Sequence, residues 1–245
     1  MSESKSPKAV SLEIFRHLFT ALCEEMGATL KRASFSPNIK ERRDYSCALF
    51  DSSGAAISLG DHMPVHLGAM PMSVEAALAE IGELAPGDVV CLNDPFSGGT
   101  HLPDITLISA VHEERGKLLG YVASRAHHSD VGGSTPGSMP LAREIFEEGI
   151  RIPPVHLYEA GQLNTSLWKT LLANVRTPVE RAGDLDAQIA ALHTGSKRLC
   201  EIAQRRGTGE TLIAMGQLIE YADRLVEVGL NIMPNGCYHA EDWIE

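Results

Sequence analysis

The first apolar pattern in the chain falls at Leu12, Phe15, Leu18, Phe19, Leu22, Cys23 and Met26, with Arg16, Glu24 and Glu25 off that line. A repeat of three and four residues puts these side chains on one stripe and predicts an amphipathic helix opening near Ser11. From Lys31 to Asp44 the period is lost, the composition turns basic, and Pro37-Asn38 signals a turn, so this stretch reads as irregular. Tyr45 to Phe50 and Ala55 to Leu59 flank Asp51-Ser52-Ser53-Gly54, the composition of a β-hairpin. Ser73 is placed to cap a short helix running to Leu84 and stopped by Pro86-Gly87. Val89 to Leu92 is uniformly apolar, as in a buried strand.

A second hairpin is predicted from Ile105 to Val111 and Leu118 to Ser124, joined through Glu113-Glu114-Arg115-Gly116-Lys117. Gly132 to Pro140 has loop composition, and Leu141 to Glu148 predicts one or two helical turns ended by Gly149. Two long helical patterns follow. Val179 to Arg206 carries Leu185, Ile189, Leu192, Leu199, Cys200 and Ile202 on its stripe; Glu210 to Val228 turns Leu212, Met215, Ile219, Ala222 and Leu225 inward. Gly207 and Gly209 punctuate the join. The expected fold is α+β: a mixed sheet with β-hairpins in the first two-thirds, then two long C-terminal helices. The expected organisation is a single domain over residues 1–245, with an αβ part at about 1–175 and a helical part at about 176–232.

Composition narrows the function. With 44% hydrophobic and 22% charged residues in 245, the chain is able to bury a core and is not of the disordered class. A formal net charge of −11 argues against general nucleic-acid binding and against docking on anionic membranes. Five scattered cysteines without a CxxC pair read as free thiols, several in apolar surroundings. The polar N-terminus, Met1 to Ala9, leads into no apolar signal segment, and no apolar run approaches the roughly 18–20 residues of a membrane span; the expected compartment is the cytoplasm.

The chemistry concentrates in Asn93-Asp94-Pro95-Phe96-Ser97-Gly98-Gly99-Thr100-His101-Leu102-Pro103-Asp104, at the end of a predicted buried strand. His101 and Asp104 flank a Leu-Pro pair, so one tight turn aims an imidazole and a carboxylate at a common point. That donor pair suits manganese, iron or zinc. A lone His-x-x-Asp is ordinarily a surface hydrogen bond. What lifts it is the second hairpin, whose first strand Asp104 opens and whose second strand His127 and His128 close, so that the ends lie side by side. Strand alternation allows only one of the two histidines to face the site. His62 and His66 surround Pro64 and read as structural hydrogen bonders more readily than as pocket lining. Lys40, Arg42 and Arg43 are interrupted by Glu41 and Asp44, which reads as a solvated salt-bridge cluster rather than a phosphate or carboxylate site. The nucleophile elbow GxSxG and the phosphate loop GxxxxGK[ST] are both absent.

With these residues the sequence resembles the hydantoinase B/oxoprolinase family, which includes N-methylhydantoinase B subunits and is related to acetone and acetophenone carboxylase subunits. The matching stretches run almost end to end: Ile39 to Ala48, Met63 to Gly68, Asn93 to Asp104, His127 to Gly133, Glu148 to Pro154, Asn174 to Arg176, and Gly183 to Ala191. The resemblance implies a subunit that works in a hetero-oligomer with an actin-like ATPase of hydantoinase A type. That partner binds ATP and Mg and phosphorylates the substrate's carbonyl or enol oxygen. This subunit then carries one divalent metal (Mn, Zn or Fe) on His101, Asp104 and His127. His127 is preferred to His128 because many relatives keep the first histidine and put an aromatic residue second. Asp94 and Asp130 are the carboxylates expected to orient these ligands in catalysis.

The implied function is ATP-dependent hydrolysis of hydantoin or 5-oxoproline-type lactam rings. The alternatives are ATP-dependent carboxylation of a ketone, or a truncated, non-catalytic assembly subunit. Family subunits continue well beyond Pro234 to Asp242, so the chain is expected to correspond to an N-terminal part.

Overall fold

Phe15, Phe19, Leu22, Cys23, Met26 and Leu30 are all buried on one side of helix α1 (Ala9–Ala33). The spacing-derived stripe is therefore real, and the helix outruns it by two turns. Lys31 and Arg32 lie in its last turn, where cations complement the negative end of the helix dipole. Ser36 and Pro37 then start a single further turn, α2 (Pro37–Lys40), so part of the stretch read as irregular is helical. The computed structural model describes residues 9–60, 62–114 and 116–243. Met1 to Lys8, most of the polar N-terminal stretch, and Arg115 in the second hairpin turn lie outside the described residues.

The strands are β1 (Tyr45–Phe50), β2 (Ala56–Leu59), β3 (Val89–Leu92), β4 (Asp104–His112), β5 (Leu118–His127), β6 (Val155–Glu159) and β7 (Gln162–Leu163). They form one seven-stranded sheet in the order β2-β1-β5-β4-β3-β6-β7, with antiparallel pairings throughout. Both predicted hairpins are present, as β1–β2 and β4–β5. Successive side chains alternate between the two faces. Cys47, Leu49, Ile105, Leu107, Val122 and Ala126 join the core under α1 and helix α5 (Pro178–Arg206). Ala48, Phe50, Ile108, Ala110, Tyr121 and Ala123 join a second core with Met70, Val74 and Ala77 of helix α3 (His66–Ile81). The fold is α+β, and the two long C-terminal helices are α5 and α6 (Thr208–Leu230).

Four expectations change. Helix α3 begins at His66, so Ser73 sits inside it rather than capping it. Pro71 removes one backbone donor from its second turn, and packing of Met70, Val74 and Ala77 holds the helix regardless. Leu141 to Glu148 yields only a short 3-10 turn, Ile145–Glu147. Strands β6 and β7 and helix α4 (Thr165–Ala173) had no counterpart in the sequence reading, although Asn164 caps α4 in the ordinary way by accepting from the Leu167 N–H at 3.0 Å. Finally, α6 packs only through its first half: Met215 is buried, whereas Ala222 and Leu225, expected inward, are exposed. The helix outruns the body, and no described segment lies over its second half.

Two buried polar side chains lock α5 to the rest. Asp184 accepts from the Phe35 and Ser36 N–H groups at 2.8 and 3.0 Å and from Arg181 at 2.8 Å, joining α5 to the α1–α2 link. Gln188 donates its amide to the Ile105 and Ser124 carbonyls at 3.0 and 3.2 Å, and its oxygen meets His128 Nε2 at 2.9 Å. One side chain thus ties α5 to β4, β5 and the residue after β5. Gln188→Leu keeps the volume but strands His128 Nε2 away from water, and it should destabilise the chain by about 1–3 kcal/mol. Urea unfolding with an unchanged slope and a lower midpoint checks this.

Candidate metal centre

The β4–β5 register places Asp104 directly opposite His127. His101 joins them through the turn closed by the Asp104 N–H on the His101 carbonyl at 3.0 Å. His101 Nε2 and His127 Nδ1 lie 3.0 and 3.3 Å from the same oxygen, Asp104 Oδ1, and the two imidazole rings are 5.0 Å apart. One ligand-capable atom from each of the three residues falls within 4.8 Å of the other two. Asp104 is buried, His127 is 12% exposed and His101 is 40% exposed, so the cluster opens on the His101 side. His128 points the other way, to Gln188, and burial holds its ring down to a pKa of about 4. It stays neutral inside the core.

Two residues outside the predicted triad complete the cluster. His66 is buried, with Nε2 at 3.3 Å from Asp104 Oδ2 and Nδ1 at 3.0 Å from Ser46 Oγ. Asp44 lies 3.8 Å from His127 Nδ1 and 3.9 Å from His66 Nε2. The reading of His66 as a structural hydrogen bonder holds for Nδ1 and falls short for Nε2. Both residues belong to stretches that carry the family resemblance, which was the available signal. The missing information was non-local: β1 pairs with β5, and the backbone carbonyl of Asp44, just before β1, accepts the His127 N–H at 3.0 Å. Asp44 therefore faces imidazoles. It does not bridge Arg42 or Arg43, as the salt-bridge reading had it; among the described residues those two form no ion pair.

Asp104 illustrates how the site is charged. Burial alone raises a carboxyl pKa, but the contacts of His101, His127 and His66 outweigh it and hold Asp104 well below the usual carboxylate range. Its carboxylate in turn raises His101. Thr100 Oγ1 donates to Oδ2 at 2.8 Å, whereas buried Oδ1 receives no well-directed hydrogen bond despite its two imidazole neighbours. A buried acceptor without a directed donor, flanked by two ring nitrogens, is the arrangement a divalent cation completes. The nitrogen, nitrogen and oxygen donor set fits manganese, iron or zinc.

The loop that presents His101 is held from beneath. Fully buried Asn93 donates to the Leu102 and Ile150 carbonyls at 2.7 and 3.0 Å and accepts from the Ile152 N–H at 2.7 Å. Ser73 Oγ bonds the Gly98 carbonyl and accepts from buried Arg125 at 2.6 Å, and Arg125 Nε reaches Thr106 at 2.9 Å. Asp94 and Asp130 make other contacts. Asp94 accepts from the Phe96 N–H at 3.0 Å and lies 3.5 Å from Arg151. Asp130 accepts from the Gly132 and Arg176 N–H groups and from Ser138; these bonds outweigh burial and lower its pKa. Neither lines the cavity of about 440 Å³ over the triad, whose walls include Asp44, Met63, Val65, His66, Thr100 and Met139.

This geometry lies within a chain whose relatives are identifiable. The model of the hydantoinase B/oxoprolinase family matches residues 8–245, and the chain belongs to that family. It is 40% identical over 240 residues to 5-oxoprolinase 1 of Arabidopsis thaliana, covering 92% of this chain and 19% of that protein. It is 34% identical over 231 residues to the caprolactamase beta subunit of Pseudomonas jessenii, covering 94% and 40%. The crystal structure of the ATP-dependent caprolactamase from that organism superposes with a TM-score of 0.88 at 33% identity, over 95% of this chain and 40% of that one. A nucleotide-free acetone carboxylase structure shares the fold, with a TM-score of 0.77 at 22% identity over 88% and 29%. The chain thus spans less than half the length of these relatives. Among the described residues no helix is long and apolar enough to cross a membrane.

Gly98 and Gly99 are the loop's tightest points. Gly98 has φ 83°, and a Cβ on Gly99 would stand 2.4 Å from the Asn93 carbonyl oxygen. Gly99→Ala should therefore cost about 1–3 kcal/mol. Gly216→Ala, within α6 where an added Cβ meets nothing within 4 Å, should instead gain about 0.5–1 kcal/mol. Thermal melting of both variants checks the contrast.

Proposed function

We propose that this chain supplies the metal-binding part of an ATP-dependent amidohydrolase that opens hydantoin or 5-oxoproline-type lactam rings. The observation that carries the reading is the convergence of His101, Asp104 and His127 at the floor of the cavity. Membership of the hydantoinase B/oxoprolinase family supports the reaction class, and relatives above 30% identity are named for lactam hydrolysis. Carboxylation of a ketone would use the same three ligands; the acetone carboxylase relationship, at 22% identity, attests the fold alone. Hydrolysis is therefore preferred.

His101, Asp104 and His127 would hold one divalent cation. When bound, it supplies Lewis-acid stabilisation of negative charge developing on a substrate oxygen. Thr100 and His66 secure Asp104 Oδ2 and leave Oδ1 turned toward the two ligand imidazoles. Met63, Val65 and Met139 give the cavity apolar walls beside this polar floor, the usual composition of a small-molecule site. Asp94 and Asp130 act at one remove, by fixing the loops around the site. The chain has no phosphate loop, so ATP and Mg are assigned to an actin-like, hydantoinase A-type partner in a hetero-oligomer. Two relatives, the caprolactamase beta chain and the B component of a D-/L-hydantoinase from a Pseudomonas strain, carry names that accord with such a partner.

Two measurements test the proposal. About one divalent ion per chain should co-purify, and it should be lost in His101→Ala, Asp104→Ala and His127→Ala but kept, per folded chain, in His128→Ala. His66→Ala should weaken metal affinity roughly 10–100-fold. Full occupancy in both His101→Ala and Asp104→Ala would sink the site. The second measurement is turnover by the complex with its ATPase partner, supplied with ATP and hydantoin, 5-oxoproline or acetone. Lactam-dependent release of phosphate is expected. Turnover of acetone alone would favour carboxylation, and no turnover of any of them with metal in place would point to a purely assembling role.

A further inference from the structure

The basic run Lys40, Arg42 and Arg43 remains unused by the metal centre, and the structure changes what it is. Arg42 lines the cavity over the triad and also a second cavity of about 460 Å³, whose walls include Lys31, Arg43, Tyr45, His62 and Glu24. Among the described residues that line it, three cations meet one carboxylate, in a chain of net charge −11. The carboxylate, Glu24, lies 3.7 Å from His62 Nε2. Among the described residues Lys31, Arg42 and Arg43 have no ion-pair partner, although acidic groups outnumber basic ones in the whole chain by 32 to 21. Cations gathered on a concave surface attract and concentrate anions.

The backbone reinforces this placement. Arg43 has φ 58°, a left-handed conformation that side-chain-bearing residues rarely adopt. It is held there by the Tyr45 N–H on the Arg43 carbonyl at 2.9 Å and the Asp44 N–H on the Asn38 carbonyl at 3.0 Å. The strained turn sends consecutive residues to different tasks. Asp44 faces His66 and His127, Arg43 lines the second cavity, and Arg42 lines both. Strain of this kind persists where the surrounding structure imposes it, commonly at binding sites.

We infer that Arg42, Arg43 and Lys31 form a subsite for the phosphoryl group of a phosphorylated small molecule whose reacting carbon lies over the triad. The assignment rests on the ATP-dependent reading above, which makes a phosphorylated carbonyl compound the species delivered to this site. Guanidinium forks match the oxygens of a phosphate dianion, and among the described residues lining this cavity the cations outnumber the carboxylate, Glu24. Arg42 and Met63 line both cavities, which sets the cations beside the cavity over the triad.

The test is titration of inorganic phosphate into the purified chain at fixed ionic strength, followed by calorimetry, before and after chelation of its metal. Acetate serves as the carboxylate probe. Saturable phosphate binding that survives chelation is expected, with acetate much weaker. Arg42→Ala should weaken it by about 10-fold or more, the effect of losing a charged hydrogen-bond partner. Arg43→Gly should weaken it similarly while relieving the left-handed strain, so this variant should melt no lower than the parent and keep its metal. Phosphate binding unchanged in the Arg42→Ala, Arg43→Gly double variant would overturn the subsite, as would no phosphate binding by the metal-loaded parent. Preferential acetate binding would overturn the phosphoryl assignment. Loss of the metal triad would be read separately, as an absence of metal with phosphate binding intact.

Discussion

The pairing of β4 with β5 is the constraint on which the site depends. Asp104 opposes His127 in this register, and alternation sends both, with Thr106 and Arg125, to the face covered by α3. Ile105, Ser124, Ala126 and His128 go to the face covered by α5. A slip of one residue would exchange the two sets and put His128 where His127 stands. Apolar residues are buried on both faces, so such a slip would also mismatch the packing of two cores and carry Thr106, Arg125 and His128 into the wrong one. The register is therefore held by side-chain packing on both faces together with the buried polar contacts specific to each face. Gln188 adds to it by bonding carbonyls on both strands.

Buried polar groups then specify what the hydrophobic core leaves open. Asp104 is removed from water, a costly placement for a carboxylate without partners. Thr100, His66, His101 and His127 surround it from a loop, a helix start and a strand end. Thr100 and His101 report the loop before β4, His66 the start of α3 and His127 the end of β5, so the cluster is formed only when that loop, α3, β4 and β5 are all seated. Arg125, Ser73 and Gly98 make a similar relay behind it, from strand to helix to loop. Networks of this kind favour one arrangement among several that an apolar core alone would tolerate.

Charge is distributed just as unevenly. The chain as a whole is acidic, yet the turn before β1 places Arg42 and Arg43, which form no ion pair among the described residues, along one cavity, while Asp44 joins Arg42 along the next. A sequence run in which basic and acidic residues alternate ordinarily neutralises itself on the surface. Here, across the left-handed Arg43, Asp44 faces His66 and His127 and forms no ion pair with Arg42 or Arg43 among the described residues. Local backbone geometry, rather than composition, decides whether neighbouring charges cancel or act apart.

Much of the fold was legible in local pattern. The stripe of α1, both hairpins, the buried run of β3 and the length of α5 follow from periodicities set by backbone geometry within a few residues. The convergence of His101, Asp104 and His127 was also legible, because all three lie on or beside one hairpin, and the family membership rests on motifs along most of the chain. Other features required contacts between distant segments. His66 and Asp44 reach Asp104 and His127 only because α3 packs over the sheet and β1 pairs with β5. The start of α3 well before Ser73, the exposure of Leu225 and the lack, among the described residues, of an ion pair between Arg42 and its acidic neighbours are of the same kind. Sequence determined which residues share a strand, a turn or a helical face, since that is fixed over a few residues by covalent geometry. The tertiary structure alone decided which faces meet and which charges find partners, because those depend on packing between segments far apart in the chain.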